Sequence, residues 1–325
     1  MHAGQSRVSP VTDPVSTKVS PQKSAKTPNG TLVAYLMLTV VALLWAANTN
    51  VARATTEEVP PIALTFWRLF LSALIFAPFA YRNTWRNRHV VWQNFWLLNG
   101  LALLSMAAFN ALVYMGMQYT VAINGNLMQG SLPICILLSG LIFAGRKVTL
   151  RQGAGVALGM AGLIVIVIRG DMDLLLQMRI NPGDPLVFMG VFASASYAVF
   201  LYKRPPELSL LSFMFVSMVF ASIHIFPFFI IENIWFRSLP MTQTALLTVG
   251  FIALFPSVLA QTFFVEGVRR IGPAKAGYMI YLTPVFGVFM AVVVLGEPFR
   301  QFHVAGISMI AFGIWCATFG GKKKI

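Results

Sequence analysis

Ten runs of mostly apolar residues, each close to the length a helix needs to cross a bilayer's hydrocarbon core, alternate along the chain with short polar or basic connections. They extend from Leu32 to Val51, Ile62 to Ala80, Phe95 to Met117, Ile123 to Ala144 and Gly153 to Ile168 in the first half. In the second half they extend from Pro185 to Tyr202, Leu208 to Ile230, Leu246 to Val268, Ala274 to Leu295 and Val304 to Phe319. The shortest separations are Gln118 to Ala122 and Pro205 to Glu207. The pattern predicts an all-α membrane protein of ten transmembrane helices. Residues 1–30 are rich in Ser, Thr, Pro and Lys, lack the apolar core of a signal peptide, and are expected to form a disordered cytoplasmic tail. Residues 322–325 form a short basic tail.

Composition sharpens this reading. Of 325 residues, 57% are hydrophobic and 10% charged, against roughly 25% charged in a soluble domain. The net charge of +14 would suit nucleic acid, but the Lys and Arg residues cluster between apolar runs and at the termini. Arg82, Arg86, Arg88, Arg146, Lys147, Arg151, Lys203, Arg204, Arg269, Arg270 and Lys275 all fall on the side that would carry both termini, whereas Arg53, Arg169, Arg179, Arg237 and Arg300 fall on the other. The positive-inside rule therefore places both termini in the cytoplasm, and the charge reads as a topology signal with no nucleic-acid partner. Cys135 and Cys316 lie inside apolar runs as small hydrophobes, so no disulfide, metal or other cofactor is expected.

The two halves repeat. Pro133 and Pro284 are 151 positions apart, and the same offset pairs Asn110 with Gln261, Gly116 with Gly267, Gly145 with Gly296, Gly155 with Gly306 and Gly162 with Gly313. Residues 31–170 and 171–321 are thus read as two five-helix repeats. Consecutive units with an odd number of spans enter the membrane in opposite directions, which predicts an inverted-topology repeat of the kind that supports alternating access around a midplane cavity.

These features resemble the drug/metabolite transporter superfamily, specifically its ten-helix EamA-type members. The resemblance rests on Trp45 and Asn48 near the end of the first span, on Phe66-Trp67-Arg68 in the second, and on the proline-centred fourth and ninth spans. Leu295-Gly296-Glu297 at the end of the ninth and the glycine-spaced tenth complete it, so that it covers residues 31–321. Where such proteins often carry a Glu at the end of the fourth helix, this chain has Gly145-Arg146-Lys147. The resemblance implies a secondary transporter of the inner membrane. In overall texture the chain looks most similar to bacterial exporters of aromatic and other amino acids, while sister groups with the same fold carry sugar phosphates, nucleosides or drug-like cations.

Polar residues within the spans are the candidate substrate contacts, because an unpartnered polar group is costly in hydrocarbon. Asn110, Tyr114 and Gln118 recur every four residues on one face of the third span, and Asn126, Gln129 and Pro133 share a face of the fourth. Tyr278 and Tyr281 precede Pro284 in the ninth, Gln261 follows Ser257 by four residues in the eighth, and Trp45, Asn48 and Tyr197 complete the set. Each residue serves equally well as a helix-packing contact or, for the aromatics, as an interface anchor. The repeat-paired Asn110 and Gln261 are expected on opposite walls of a central cavity. Pro133, Pro256 and Pro284 are candidate hinges. Arg68, about 10 Å along its helix from Pro61, either snorkels to the outer interface or holds a substrate carboxylate or a helix end. The ten acidic residues fall at span ends, in loops or in tails, Glu266 lying nearest the bilayer interior, so uncoupled exchange is expected over proton antiport. An intramembrane enzyme lacks its residues here: the four histidines are scattered and His224, the one well inside a span, has no acidic partner at helical spacing. The partners expected are a small-molecule substrate and the lipid bilayer; the sequence leaves the oligomeric state open and is compatible with a monomer. Cysteines introduced at residues 20 and 324 are predicted to react with impermeant reagents only from the cytoplasm, and labelling of either from outside contradicts this topology.

Overall fold

The structure, a computed structural model, describes residues 28–145, 149–171 and 181–319. In the first half α1 (Pro28–Ala54) and α2 (Pro61–Arg86) are followed by a short α3 (Arg88–Gln93). A third long rod combines α4 (Phe95–Ala102), a π-helical turn (Leu103–Ala108) and α5 (Phe109–Met117), and α6 (Ala122–Gly130), α7 (Leu132–Ala144) and α8 (Leu150–Val167) complete the half. The second half contains α9 (Gly183–Phe200), α10 (Leu210–Ile231), and a rod of α11 (Gln243–Ile252), a π-helical stretch (Ala253–Leu259) and α12 (Ala260–Ile271). It ends with α13 (Pro273–Ile280), α14 (Leu282–Val293) and α15 (Gln301–Phe319).

The chain is helical throughout the described residues, and seven helices are long and apolar enough to cross a membrane. The fourth apolar run is not the continuous rod that its hydropathy predicts. It breaks at Ser131 into α6 and α7, which meet at 51°. Pro133 explains the break: it has no N–H to give the Gln129 carbonyl, and its ring displaces that oxygen. The ninth run breaks likewise at Tyr281, three residues before Pro284, leaving α14 with 12 residues, shorter than the seven.

The 151-residue offset reappears in the helix boundaries. α12, α13 and α15 begin at Ala260, Pro273 and Gln301, 151 positions after Phe109, Ala122 and Leu150, where α5, α6 and α8 begin. Two of the three π-helical segments among the described residues, Leu103–Ala108 and Ala253–Leu259, occupy equivalent positions, while the third, Glu232–Phe236, has no counterpart; the left-handed residues Gly145 (φ 57°) and Gly296 (φ 68°) follow equivalent helices. The repeated glycines meet across the halves. A Cβ on Gly162 would come within 2.8 Å of the Gly306 carbonyl, and one on Gly313 within 2.6 Å of the Gly155 carbonyl. α8 and α15 therefore run antiparallel, with backbones close enough that only small residues fit. The close approach is reciprocal: each glycine contacts the repeat-mate of the other. Gly162→Leu is expected to destabilise the protein by about 1–3 kcal/mol through forced separation of α8 and α15, measured as a lowered unfolding temperature in detergent. An unchanged transition contradicts this packing.

Candidate functional site

Most polar residues inside the bundle are partnered locally, in ways that only tie helices together. Asn126 donates to the Ala122 carbonyl at 2.8 Å and packs against Gly287. Gln129 donates to Thr49 Oγ1 at 3.0 Å, and Asn50 donates to the Gly287 carbonyl at 3.2 Å. These residues form the seam between α1, α6 and α14. Tyr197 lies elsewhere again, among the apolar residues Leu97, Phe200 and Leu201.

One cluster differs in kind. Arg68, on α2, is only 9% exposed. Its Nε donates to Ser257 Oγ at 2.8 Å, and its Nη1 donates to Asn110 Oδ1 and the Tyr114 hydroxyl oxygen at 2.5 Å each, with Asn48 Oδ1 at 3.4 Å. The Tyr114 hydroxyl in turn donates to Asn48 Oδ1 at 2.7 Å. Four rods from both halves thus converge on one guanidinium, and every oxygen that receives it belongs to a buried residue. Proline chemistry supplies one of these acceptors. Pro256 removes an N–H that would otherwise bond the Ile252 carbonyl, and the Ser257 hydroxyl donates to that oxygen at 2.7 Å, leaving its lone pairs toward Arg68. Ser72, one turn after Arg68, donates to the Ala253 carbonyl at 3.1 Å and ties α2 to the same π-helical stretch. Trp45 closes the group, its indole N–H donating to the Pro256 carbonyl at 3.2 Å while its ring rests 5.5 Å from that of Phe264.

Two properties of Arg68 matter chemically. Its partners are all neutral, so the charge is hydrogen-bonded but not neutralised, and Nη2 forms no hydrogen bond among the described residues. Among the described side chains it is the only buried Lys or Arg.

Of the candidate residues, Trp45, Asn48, Asn110, Tyr114 and Pro256 therefore gather around Arg68. Gln261 lies one turn beyond Ser257, half-buried, with no side-chain hydrogen bond among the described residues. Tyr281 stands at the α13–α14 break, 38% exposed, with Pro284 just inside α14 and Pro133 just inside α7. The Tyr278 side chain lies outside the described ones. Glu266 is held locally by Arg269 at 2.7 Å and Arg270 at 2.6 Å, one turn along its own helix. A surface groove of about 520 Å³, lined by residues such as Leu112, Phe143, Phe188 and Phe192, lies apart from Arg68 and offers apolar contact almost exclusively.

Three carboxylates have structural partners that sequence spacing did not reveal. Glu232 accepts the N–H groups of Ile62 and Ala63 at 3.2 and 2.6 Å, capping α2 from the end of α10. Glu297 accepts those of Ala122 and Ile123 at 2.7 and 2.9 Å, capping α6. Asp184, in the first turn of α9, is fully buried and accepts from Thr120. Each pairs residues more than 60 positions apart, so only the fold brings them together.

A bundle of long apolar helices that buries an un-neutralised guanidinium among partners from both halves fits a membrane transporter. The chain belongs to the EamA-like transporter family, which matches residues 32–168 and again 181–319, once in each half. It is similar to the uncharacterized transporter YyaM of Bacillus subtilis, at 23% identity over 87% of this chain and 93% of that protein. An uncharacterized transporter of Archaeoglobus fulgidus is 24% identical over 87% of this chain and 96% of its own. The uncharacterized inner membrane transporter YedA of Escherichia coli is 24% identical over 86% and 88%. A crystal structure 18% identical to the chain superposes with a TM-score of 0.53 over 88% of this chain and 96% of that one, a likeness of fold.

The Arg68 network generates a test of coupling. Asn48→Leu leaves the Tyr114 hydroxyl without its acceptor and is expected to cost about 1–3 kcal/mol of stability. Combined with Tyr114→Phe, the two changes should fall short of additivity by at least about 0.5 kcal/mol; strict additivity in thermal or denaturant unfolding contradicts a shared network.

Proposed function

We propose that the protein is a ten-span carrier of inverted halves with both termini in the cytoplasm, and that it moves a small carboxylate-bearing metabolite outward by alternating access, amino acids including aromatic ones being the best fit. The observation that carries this reading is the buried guanidinium of Arg68, held in place by neutral oxygens, with Nη2 left unbonded. An arginine offers a carboxylate a planar fork of donors, and a charge kept without a counterion inside a membrane is costly unless a ligand supplies one. Trp45, half-buried beside it, offers ring surface to an aromatic or apolar substituent. Drug-like cations fit poorly, because the one buried basic side chain described would repel them.

The two-half organisation is supported by the reciprocal glycine contacts of α8 and α15, since an antiparallel pair with exchanged contacts is what a two-fold axis in the membrane plane produces. Seven helices are long enough to span, and the bent α6–α7 pair makes an eighth; the ten-span reading takes α13 with α14, and α15, as one further span each. Exchange without ion coupling is supported by Glu266, whose charge is already matched by two arginines on its own helix.

Counterflow in proteoliposomes with labelled phenylalanine and other amino acids, sugar phosphates and nucleosides tests the reading. Amino-acid exchange is expected without added nucleotide and with little response to an imposed pH gradient. Arg68→Gln should lower it at least about tenfold, an effect on the order of 1.4 kcal/mol, while the variant still inserts. Unchanged exchange by Arg68→Gln, or exchange of nucleosides in preference to amino acids, contradicts the proposal.

A further inference from the structure

We infer that Glu297 is the latch that closes the outer end of the substrate pathway, that the inner end has no equivalent, and that the unloaded carrier consequently rests closed to the outside. The end at which the latch sits follows from the orientation proposed above.

Glu297 follows α14 in the second half, directly after the left-handed Gly296, which turns the chain back toward the first half. Its two carboxylate oxygens receive the N–H groups of Ala122 and Ile123 at 2.7 and 2.9 Å. These are the first donors of α6, which have no partner within their own helix, and they carry the positive end of its dipole. An ionised acceptor there makes stronger bonds than a neutral one. Below the latch α6 and α14 are in close contact. A Cβ on Gly130 would lie 3.2 Å from Pro284, and Asn50 on α1 bonds the Gly287 carbonyl at 3.2 Å from the same seam. The other halves of these two broken spans have separate neighbours: α7 packs on α6, α8, α9 and α15, and α13 on α1, α12 and α14. The fourth and ninth spans are therefore joined at the end bearing Glu297 and packed apart at the other.

The 151-residue offset shows what a mirror-image latch would require. Gly145 corresponds to Gly296, with the same left-handed backbone, but the residue that follows it is Arg146, opposite in charge to Glu297. The donors would come from the start of α13, where Pro273 stands in the place of Ala122 and has no N–H. Both sides of the inner latch are missing, acceptor and one donor. If the pathway closes inside by the same motion in the second orientation, that closure gains no carboxylate cap and brings a cation toward a helix N-terminus, which opposes it. The asymmetry favours the state described here. Glu297 acts as a positioning residue for the transport cycle, since it touches no group of the Arg68 cluster.

Spin-label distance measurements on the full chain in nanodiscs test this. Labels at Tyr119→Cys and Phe299→Cys report the outer end, in a background with Cys135 and Cys316 replaced by Ala; both positions are exposed. The unsubstituted latch is expected to give one short distance. Glu297→Ala should raise the long-distance population roughly fivefold, and Glu297→Gln, whose amide oxygen still accepts one N–H, should restore most of the short one. Arg146→Glu combined with Pro273→Ala should build the missing latch and raise the long outer distance without touching Glu297. A Glu297→Ala variant that unfolds more readily but keeps the short distance in its folded fraction overturns the latch and leaves a helix cap of purely structural consequence. Long distances in Glu297→Ala, together with external labelling of residues 20 and 324, retain the latch and overturn the orientation.

Discussion

A guanidinium inside a bilayer governs how the rest of this bundle is arranged. Water is absent there, an unmet polar group is expensive, and Arg68 is 91% buried within the protein. Its partners come from α1, α5 and the π-helical stretch before α12, so the two halves cannot separate at that level without exposing the charge. The cluster is also under-neutralised. Neutral oxygens orient Arg68 without cancelling it, an arrangement that, on the function proposed above, would let it receive and release an anionic substrate with which a resident carboxylate would compete.

The same constraint explains the irregular helices. A proline in a hydrocarbon-embedded helix leaves a carbonyl without its donor, and beside Pro256 the chain answers with a nearby hydroxyl: Ser257 donates to the Ile252 carbonyl. Helix ends pose the converse problem of spare N–H groups, met for α2 by Glu232 and for α6 by Glu297. Fully buried Asp184 accepts from Thr120 where the Gly116 and Gly183 backbones approach. Some of the polar contacts between halves thus satisfy backbone groups at helix ends, with acceptors supplied from elsewhere in the fold.

Which of these features a sequence discloses follows from their range. Apolar runs, the 151-residue repeat and the disruptive prolines are local or periodic, and each leaves a mark in the helix boundaries: Ala260, Pro273 and Gln301 begin helices at the predicted interval. The candidate site was legible in part. Asn110 and Tyr114 share a helical face and do meet one charged side chain, Arg68, whose direction cannot be read from its distance to Pro61. Asn126 and Gln129 show the same spacing, yet their amides are taken up by α6 and α1. Periodicity identifies a shared face without saying whether a cavity or another helix lies opposite. The caps made by Glu232 and Glu297 pair residues 169 to 175 positions apart and carry no local pattern at all.

The central claim is that Arg68 reads a carboxylate, and the most direct measurement is binding of matched ligand pairs to the purified protein. Phenylalanine and its carboxamide differ only in the group that would face Nη2. The account predicts that phenylalanine raises the unfolding temperature of the wild-type protein, that the carboxamide does so far less, and that Arg68→Gln abolishes the difference. Equal stabilisation by both ligands, or a difference that survives in Arg68→Gln, would contradict it.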